Sequence, residues 1–195
     1  TLEKGFESNN IVHFNGDHLE FSSISRPFML KKFSKEPALT IILEDWSLKV
    51  EVSDLVLRKS IRFSELYVSD GWVEIQSDQK VLFIGKGYSH DLNNKLSIPF
   101  YKGTSEVIRS VARDPSLLSL KLESMLAASE ERDILTLWHL LNLAQKTERY
   151  LLLEKLLEFT PIFDRSTMEG LVDLKNDDTA YLLESIKWIL IAGLD

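Results

Sequence analysis

The sequence contains no cysteine, which excludes disulfides, thiolate metal sites and cysteine nucleophiles. That absence suits the cytosol and a bacterial envelope equally well. It also lacks any apolar run of the roughly eighteen residues that a membrane helix needs; the longest apolar cluster, Trp188 to Ala192, is far shorter. Nor is there an excess of positive charge. Residues 1–102 carry 13 Lys+Arg against 14 Asp+Glu, and residues 103–195 carry 10 against 16, for a net charge of −7. Phosphate neutralisation supplies most of the affinity for nucleic acid, so an acidic chain without a basic stripe is a poor candidate for that partner. Anionic membrane surface is disfavoured on the same ground, and no direct membrane insertion is expected. The chain begins at Thr1 without a charged and then apolar leader, and we read it as a processed fragment, one from which an anchor or signal could have been removed.

What is present is ordinary globular composition, 44% apolar and 27% charged over 195 residues, enough for one large domain or two modest ones. Residues 66–88 organise the first half. Ser69-Asp70-Gly71 has turn chemistry, Trp72, Val73 and Ile75 favour a pleated surface, Ser77-Asp78 is a second turn, and Val81 to Ile84 runs apolar until Gly85 and Gly87. Upstream, Ile11 to Phe14 and His18 to Phe21 flank Asn15-Gly16-Asp17, a hairpin signal. Phe28 to Leu30, Leu39 to Leu43, Leu48 to Val52, Leu55 to Leu57 and Arg62 to Val68 continue the strand pattern. Leu48, Val50 and Val52 alternate with Lys49 and Glu51, as a half-buried antiparallel strand does.

Beyond Tyr88 the pattern turns helical. Thr104-Ser105 is expected to cap a helix to Arg113, and Asp114-Pro115 to restart one whose apolar face is Leu117, Leu118, Leu120, Leu122, Met125 and Leu126. Ser129 is expected to cap a third helix, in which Ile134, Leu135, Leu137, Trp138, Leu140, Leu141 and Leu143 surround the axis, as in the centre of a bundle. Thr147 is expected to cap residues 148–159, with Tyr150, Leu153, Leu156 and Leu157 at helical spacing. Thr160-Pro161 stops that helix, Ser166-Thr167 opens a short turn ending near Gly170, and Asp177-Asp178-Thr179 starts a last helix to about Ala192. The fold class is therefore α+β: an N-terminal antiparallel all-β sandwich or rolled sheet over residues 1–90, a linker over 91–103, and a C-terminal α-helical bundle over 104–195.

Several residue groups invite a chemical role, and each has a plainer one. His13 and His18 could ligate a metal with Asp17, but hairpin flanks often carry histidine, and no metal or other cofactor is expected. Glu44-Asp45, Asp54, Asp70, Glu74 and Asp78 could supply a carboxylate pair for glycoside hydrolysis; solvated strand and turn positions explain them more simply. His139 has no serine or acid placed for a relay, so Trp138 is expected in the core and His139 at the helix edge, bonding a loop carbonyl. Gly85-Lys86-Gly87 lacks the continuation of a phosphate loop and reads as a strand end needing unusual backbone angles. Trp46, Trp72 and Trp188 could form an aromatic platform for sugar or peptide, with core packing the favoured alternative.

Two groups of residues carry a resemblance. Gly71-Trp72-Val73-Glu74-Ile75 followed by Val81-Leu82-Phe83-Ile84-Gly85 resembles the closing strands of FecR-type domains, the bacterial sigma-factor regulator family. Leu135-Thr136-Leu137-Trp138-His139-Leu140-Leu141 and Thr167-Met168-Glu169-Gly170-Leu171 are similar to segments of the helical region that follows the FecR domain in one group of FecR-like proteins. The resemblance covers residues 38–175. It departs from the group at Val50 to Leu57, where a glycine-containing strand is usual, and at Pro161, where a proline run is usual. The resemblance implies a non-enzymatic envelope protein, periplasmic or extracytoplasmic and tethered by an N-terminal segment. It would pass a signal by binding another envelope or membrane protein, with Trp72 and Glu74 as the candidate contacts. The rival readings are a polysaccharide- or cell-wall-binding or -degrading envelope protein and an interaction scaffold.

Overall fold

Two stretches of alternating apolar residues give the longest elements of the first half of the chain. In the computed structural model these are β5 (Trp46–Lys59) and β6 (Ser64–Gln76), paired antiparallel along their whole length. The structure describes residues 11–15, 18–22, 28–32, 39–43, 46–59, 64–77, 80–160, 165–174 and 176–192. The chain divides into two units, Thr1–Lys95 and Leu96–Asp195.

In the first unit, short strands line up end to end along each long one. β3 (Phe28–Lys32) pairs with Leu55 to Lys59 of β5, and β4 (Leu39–Leu43) with Trp46 to Val50. On the other side, β7 (Val81–Gly85) pairs with Trp72 to Gln76 of β6, and β8 (Tyr88–Asp91) with Glu65 to Tyr67. β1 (Ile11–Asn15) and β2 (His18–Ser22) form the two-residue hairpin that Asn15-Gly16-Asp17 foretold, although Gly16 and Asp17 lie outside the described residues. One pair departs from the all-antiparallel expectation: β2 runs parallel to β4. A parallel neighbour requires a long crossover, and the chain from Ser22 to Leu39 supplies it, taking in β3 on the way.

The register between β5 and β6 slips twice, in opposite senses. From Val50↔Val73 to Ser53↔Gly71, β5 advances three residues and β6 two; from Asp54↔Asp70 to Leu55↔Val68, β5 advances one and β6 two. Each strand thus absorbs one extra residue. The burial pattern follows. Leu66 and Val68 are buried on one side of the slip, Val73 and Ile75 on the other, and Leu48 and Leu57 show the same change of parity in β5. Without the inserted residue, Val73 and Ile75 would point to the face opposite Leu66 and Val68. Gly71, at φ 75°, adopts the left-handed conformation this requires. At the same level the chain passes from β7 to β8 through Lys86-Gly87. Gly87 has φ 82°, and its N–H donates to the Val68 carbonyl at 2.8 Å. A crease therefore crosses three neighbouring strand lines. Ser69-Asp70-Gly71 is not the turn its composition predicts but the bulge of a continuous strand, and Ser53-Asp54 likewise does not separate two strands.

The core of this unit is Leu48, Leu57, Leu66, Val68, Val73, Ile75, Leu82, Ile84 and Tyr88. Burying side chains of this size contributes about 1.5–3 kcal/mol each.

In the second unit, Ile98 and Phe100 are buried, and the Ile98 N–H donates to the Ala112 carbonyl at 2.8 Å, joining this segment to α1 (Glu106–Arg113). Asp114 accepts from the Ser116 N–H at 3.2 Å, with Pro115 in the first helical position, as the sequence indicates. The 3₁₀ turn so capped leads into α2 (Leu118–Ala128). The apolar face of α2 is narrower than expected: Leu118, Leu122 and Met125 are buried, while Leu120 is 81% exposed. Ser129 does not cap the next helix; its hydroxyl donates back to the Met125 carbonyl at 2.7 Å. The cap belongs to Glu130, whose N–H donates to Asp133 Oδ2 at 3.0 Å in a capping box that opens a short 3₁₀ turn before α3 (Ile134–Leu143).

Every residue from Ile134 to Leu141 is buried, Thr136 and His139 included. α4 (Lys146–Phe159) opens with Gln145 and Glu148 as its capping box, so Thr147 lies inside the helix. Its buried residues are Leu152, Leu153 and Leu156, whereas Tyr150 is exposed. The Thr160 hydroxyl donates to the Leu156 carbonyl at 2.8 Å where α4 ends. What the sequence presents as a short turn at Ser166-Thr167 is a helix, α5 (Arg165–Val172); Arg149 Nη1 donates to the Val172 carbonyl at its C-terminus, where the helix dipole favours a cation. α6 (Asn176–Ala192) buries Leu182, Leu183, Ile186 and Leu190. Gly170 of α5 lies so close to the Asp178 carboxylate of α6 that a Cβ there would collide with it.

A substitution at Gly71 tests the bulge. Gly71→Ala is expected to lower the unfolding free energy by about 1–2 kcal/mol through backbone strain alone. A denaturant midpoint matching the unsubstituted chain contradicts the assignment. Asp133 yields a pH prediction. Burial pushes its carboxyl above the ordinary value of 3.8, opposed by the Thr104 hydroxyl, the Glu130 N–H and Arg132. A raised folded-state value favours the protonated fold, so this group adds stability as pH falls through that value toward the ordinary one. Asp133→Asn keeps an oxygen for the Glu130 N–H and removes the titration. Its stability relative to the unsubstituted chain is therefore expected to be most favourable near neutrality and to decline toward acid, read from denaturant unfolding across pH; a difference independent of pH contradicts it.

Candidate functional site

Because Val73 and Ile75 of β6 are buried, alternation places Trp72, Glu74 and Gln76 on the opposite face. In β7 the buried residues are Leu82 and Ile84, which leaves Val81 and Phe83 on that same opposite face. The register sets Gly85 across from Trp72, Phe83 across from Glu74 and Val81 across from Gln76. Gly85 has no side chain to offer Trp72, and the indole stacks instead on its diagonal neighbour Phe83, with ring centroids 5.8 Å apart and planes at 30°. On the other side Glu74 is the register partner of Lys49 in β5. Trp72, Glu74 and Phe83 are half-buried, while Gln76 and Val81 are exposed. The two site residues singled out in the sequence are thus brought together, one on each side of Val73. They form an aromatic pair with a carboxylate beside it, next to a strand that pairs only with β6 among the described residues. Such a surface can hold apolar groups and a cation or amide.

The core reading of the tryptophans fails in part. Trp72 is only half-buried, and Trp188 is 69% exposed. Phe83 and Val81 do not stand out in the sequence as neighbours of Trp72, although the alternation of Leu82 with Ile84 contains the signal. Nothing in the sequence marks Lys80, whose carbonyl accepts from the Ser77 N–H at 2.9 Å; burial pulls its ammonium down to about 8.

Among the other groups, the sheet register brings one carboxylate pair together. Asp54 and Asp70 are register partners at the crease, with Asp70 exposed, while Glu44, Asp45 and Asp78 lie outside the described residues. His13 and His18 sit on β1 and β2, and Asp17 between them lies outside the described residues. Among the described residues no three His, Asp or Glu side chains are grouped to hold a metal ion. His139 is not at a helix edge but buried in α3, its ring set edge-on to Trp138 at 4.8 Å and 72°. No described helix is long and apolar enough to cross a membrane.

No family model matches the chain, and no curated protein matches it. Two solved structures match part of it, each a "crystal structure of a putative anti-sigma factor from Parabacteroides distasonis ATCC 8503". One, at 2.50 Å resolution, has 13% identity and a TM-score of 0.34 over 45% of this chain and 42% of its own. The other, at 1.65 Å, has 13% identity and a TM-score of 0.35 over 58% of each chain. The chain spans about half the length of the structures it matches.

Proposed function

We propose that this chain is a non-enzymatic regulator of FecR type, acting in the periplasm or elsewhere outside the cytoplasm, that transmits a signal of the sigma/anti-sigma kind by protein–protein binding. The observation that carries the reading is the Trp72, Phe83 and Glu74 surface beside β7. Strand addition along an open sheet edge would supply backbone hydrogen bonds, and the aromatic pair and carboxylate would supply selectivity. The segments behind the resemblance have structural work in keeping with it: Gly71 forms the bulge, Leu135 to Leu141 fill α3, and Gly170 admits the close approach of α6. We take the crease to fold the strands into a sandwich or rolled sheet, because long strands that pass between layers do so at bulges, and we take the helices to form a bundle around α3.

The test is a crosslinking capture from envelope membranes of the encoding bacterium, with the intact chain and its Trp72→Ala and Glu74→Gln variants as baits. A membrane or envelope protein is expected to be enriched by the intact chain and to fall about tenfold or more with Trp72→Ala, the size of loss typical of a central tryptophan. A matched unfolding midpoint shows that the variant still folds. Enrichment of cell-wall glycan instead, or glycan turnover lost in Glu74→Gln, overturns the reading in favour of a polysaccharide-directed protein.

A further inference from the structure

The hydrogen bonding between β6 and β7 fixes what β7 offers on its other side. The Ser77 N–H donates to the Lys80 carbonyl at 2.9 Å, and from Gln76↔Val81 to Trp72↔Gly85 the register runs without a slip. Bonded and non-bonded pairs alternate along an antiparallel ladder. Ser77 and Lys80 are a bonded position, so Gln76↔Val81, Glu74↔Phe83 and Trp72↔Gly85 are non-bonded ones. Val81, Phe83 and Gly85 therefore turn their N–H and C=O away from β6, while Leu82 and Ile84 turn theirs toward it. The edge so formed pairs with no other strand among the described residues. Val81 is 43% exposed, and Gly85, although buried, makes no hydrogen bond beyond the ladder among the described residues. Buried backbone groups are nearly always paired, so an arriving chain has bonds to complete here. An open ladder also selects its occupant, because only extended backbone presents N–H and C=O at the matching spacing.

We infer that the outer edge of β7 takes up one extended segment of the partner protein, antiparallel, with bonded pairs at Val81, Phe83 and Gly85. The inference rests on the reading above that the Trp72 surface is the contact, and adds the form of the partner and its register. In that register each partner residue opposite Val81, Phe83 or Gly85 stands on the same face as Trp72 and Glu74. The one opposite Gly85 is the specificity position: the glycine has no side chain and Trp72 is its neighbour across β6, so a large apolar group there lies over the glycine and reaches the indole. A second copy fits less well. The register that pairs all three outward residues of two β7 strands is centred on Phe83, and it sets Lys80 across from Lys86 of the other copy, like charge against like.

The probe is a labelled peptide of about nine residues, alternating Val and Thr, titrated against the whole chain by fluorescence anisotropy. It is expected to bind. N-methylation of one alternate set of its residues, Val or Thr, should abolish binding and of the other set should leave it, because only one set turns its N–H toward β7. Val81→Pro loses the outward N–H but no bond to β6, and should weaken binding about fivefold or more, whereas Val81→Thr should not. Replacing one Val of the peptide by Phe should tighten binding about threefold, a gain lost with Trp72→Ala. No binding up to about 1 mM, equal effects of the two methylated sets, or unchanged binding by a folded Val81→Pro overturns the proposal. So does sedimentation showing a dimer that Val81→Pro dissolves, which would assign the edge to a second copy. If Val81→Pro does not fold, the methylated peptides keep the test on the unsubstituted chain. None of these outcomes decides the reading of the Trp72 surface, which fails only if the membrane capture is indifferent to Trp72→Ala.

Discussion

The single inserted residue in each of β5 and β6 is the constraint on which the first unit depends. A strand presents its side chains alternately, so a pair of this length with strict alternation must keep one parity throughout. Here parity changes at Ser69-Asp70-Gly71 and at the opposing Val50 to Asp54, and buried residues stay buried on both sides of the change. The same insertion decides what faces outward beyond it. Trp72 and Glu74 are on the surface because Val73 and Ile75 are in the core, and those two are in the core because Gly71 accepts a conformation that most residues resist. The candidate site is in this sense a by-product of the crease.

The second unit rests on α3, whose eight buried residues in succession leave no polar face. Its entry is set by Glu130 and Asp133, with Arg132 bridging to Glu130 at 2.8 Å and lying over the Tyr101 ring at 5.7 Å. With the apolar content of α3 spent in the interior, the exposed aromatics of this unit lie on other helices, Tyr150 on α4 and Tyr181 and Trp188 on α6.

Much of this architecture was legible in the residues. Alternation at Leu48 and Val50 marked β5, Asn15-Gly16-Asp17 marked the first hairpin, Asp114-Pro115 marked a restart, and the apolar run of Ile134 to Leu141 marked a buried helix, although Leu143, expected to continue it, is 54% exposed. The crease was not legible, because a bulge and a turn use the same chemistry: a small polar pair followed by a glycine with positive φ. Only the cross-strand register tells them apart. The caps at Glu130 and Gln145 were displaced by Ser129 and Thr147, which are better cap formers in isolation but fall one residue too early and two too late for the chain around them. Of the candidate site, Trp72 and Glu74 followed from the pattern, and their neighbour Phe83 required knowing that β7 pairs with β6. Trp188 was within reach. It lies two residues from both Ile186 and Leu190, about 200° around the helix from each, on the side away from the buried face.

The crease can be tested directly by deleting Ser69 and comparing the unfolding of that chain with Ser69→Ala. The alanine variant keeps the inserted residue and should keep the cooperative unfolding of the first unit. The deletion removes the extra residue of β6, turning Val73 and Ile75 outward and Trp72 and Glu74 inward if the pairing of Ser64 to Val68 is kept, and should abolish the cooperative unfolding of the first unit. A deletion variant that unfolds with the same midpoint and cooperativity would show that the strand does not need its inserted residue, and the account of how Trp72 and Glu74 reach the surface would be wrong.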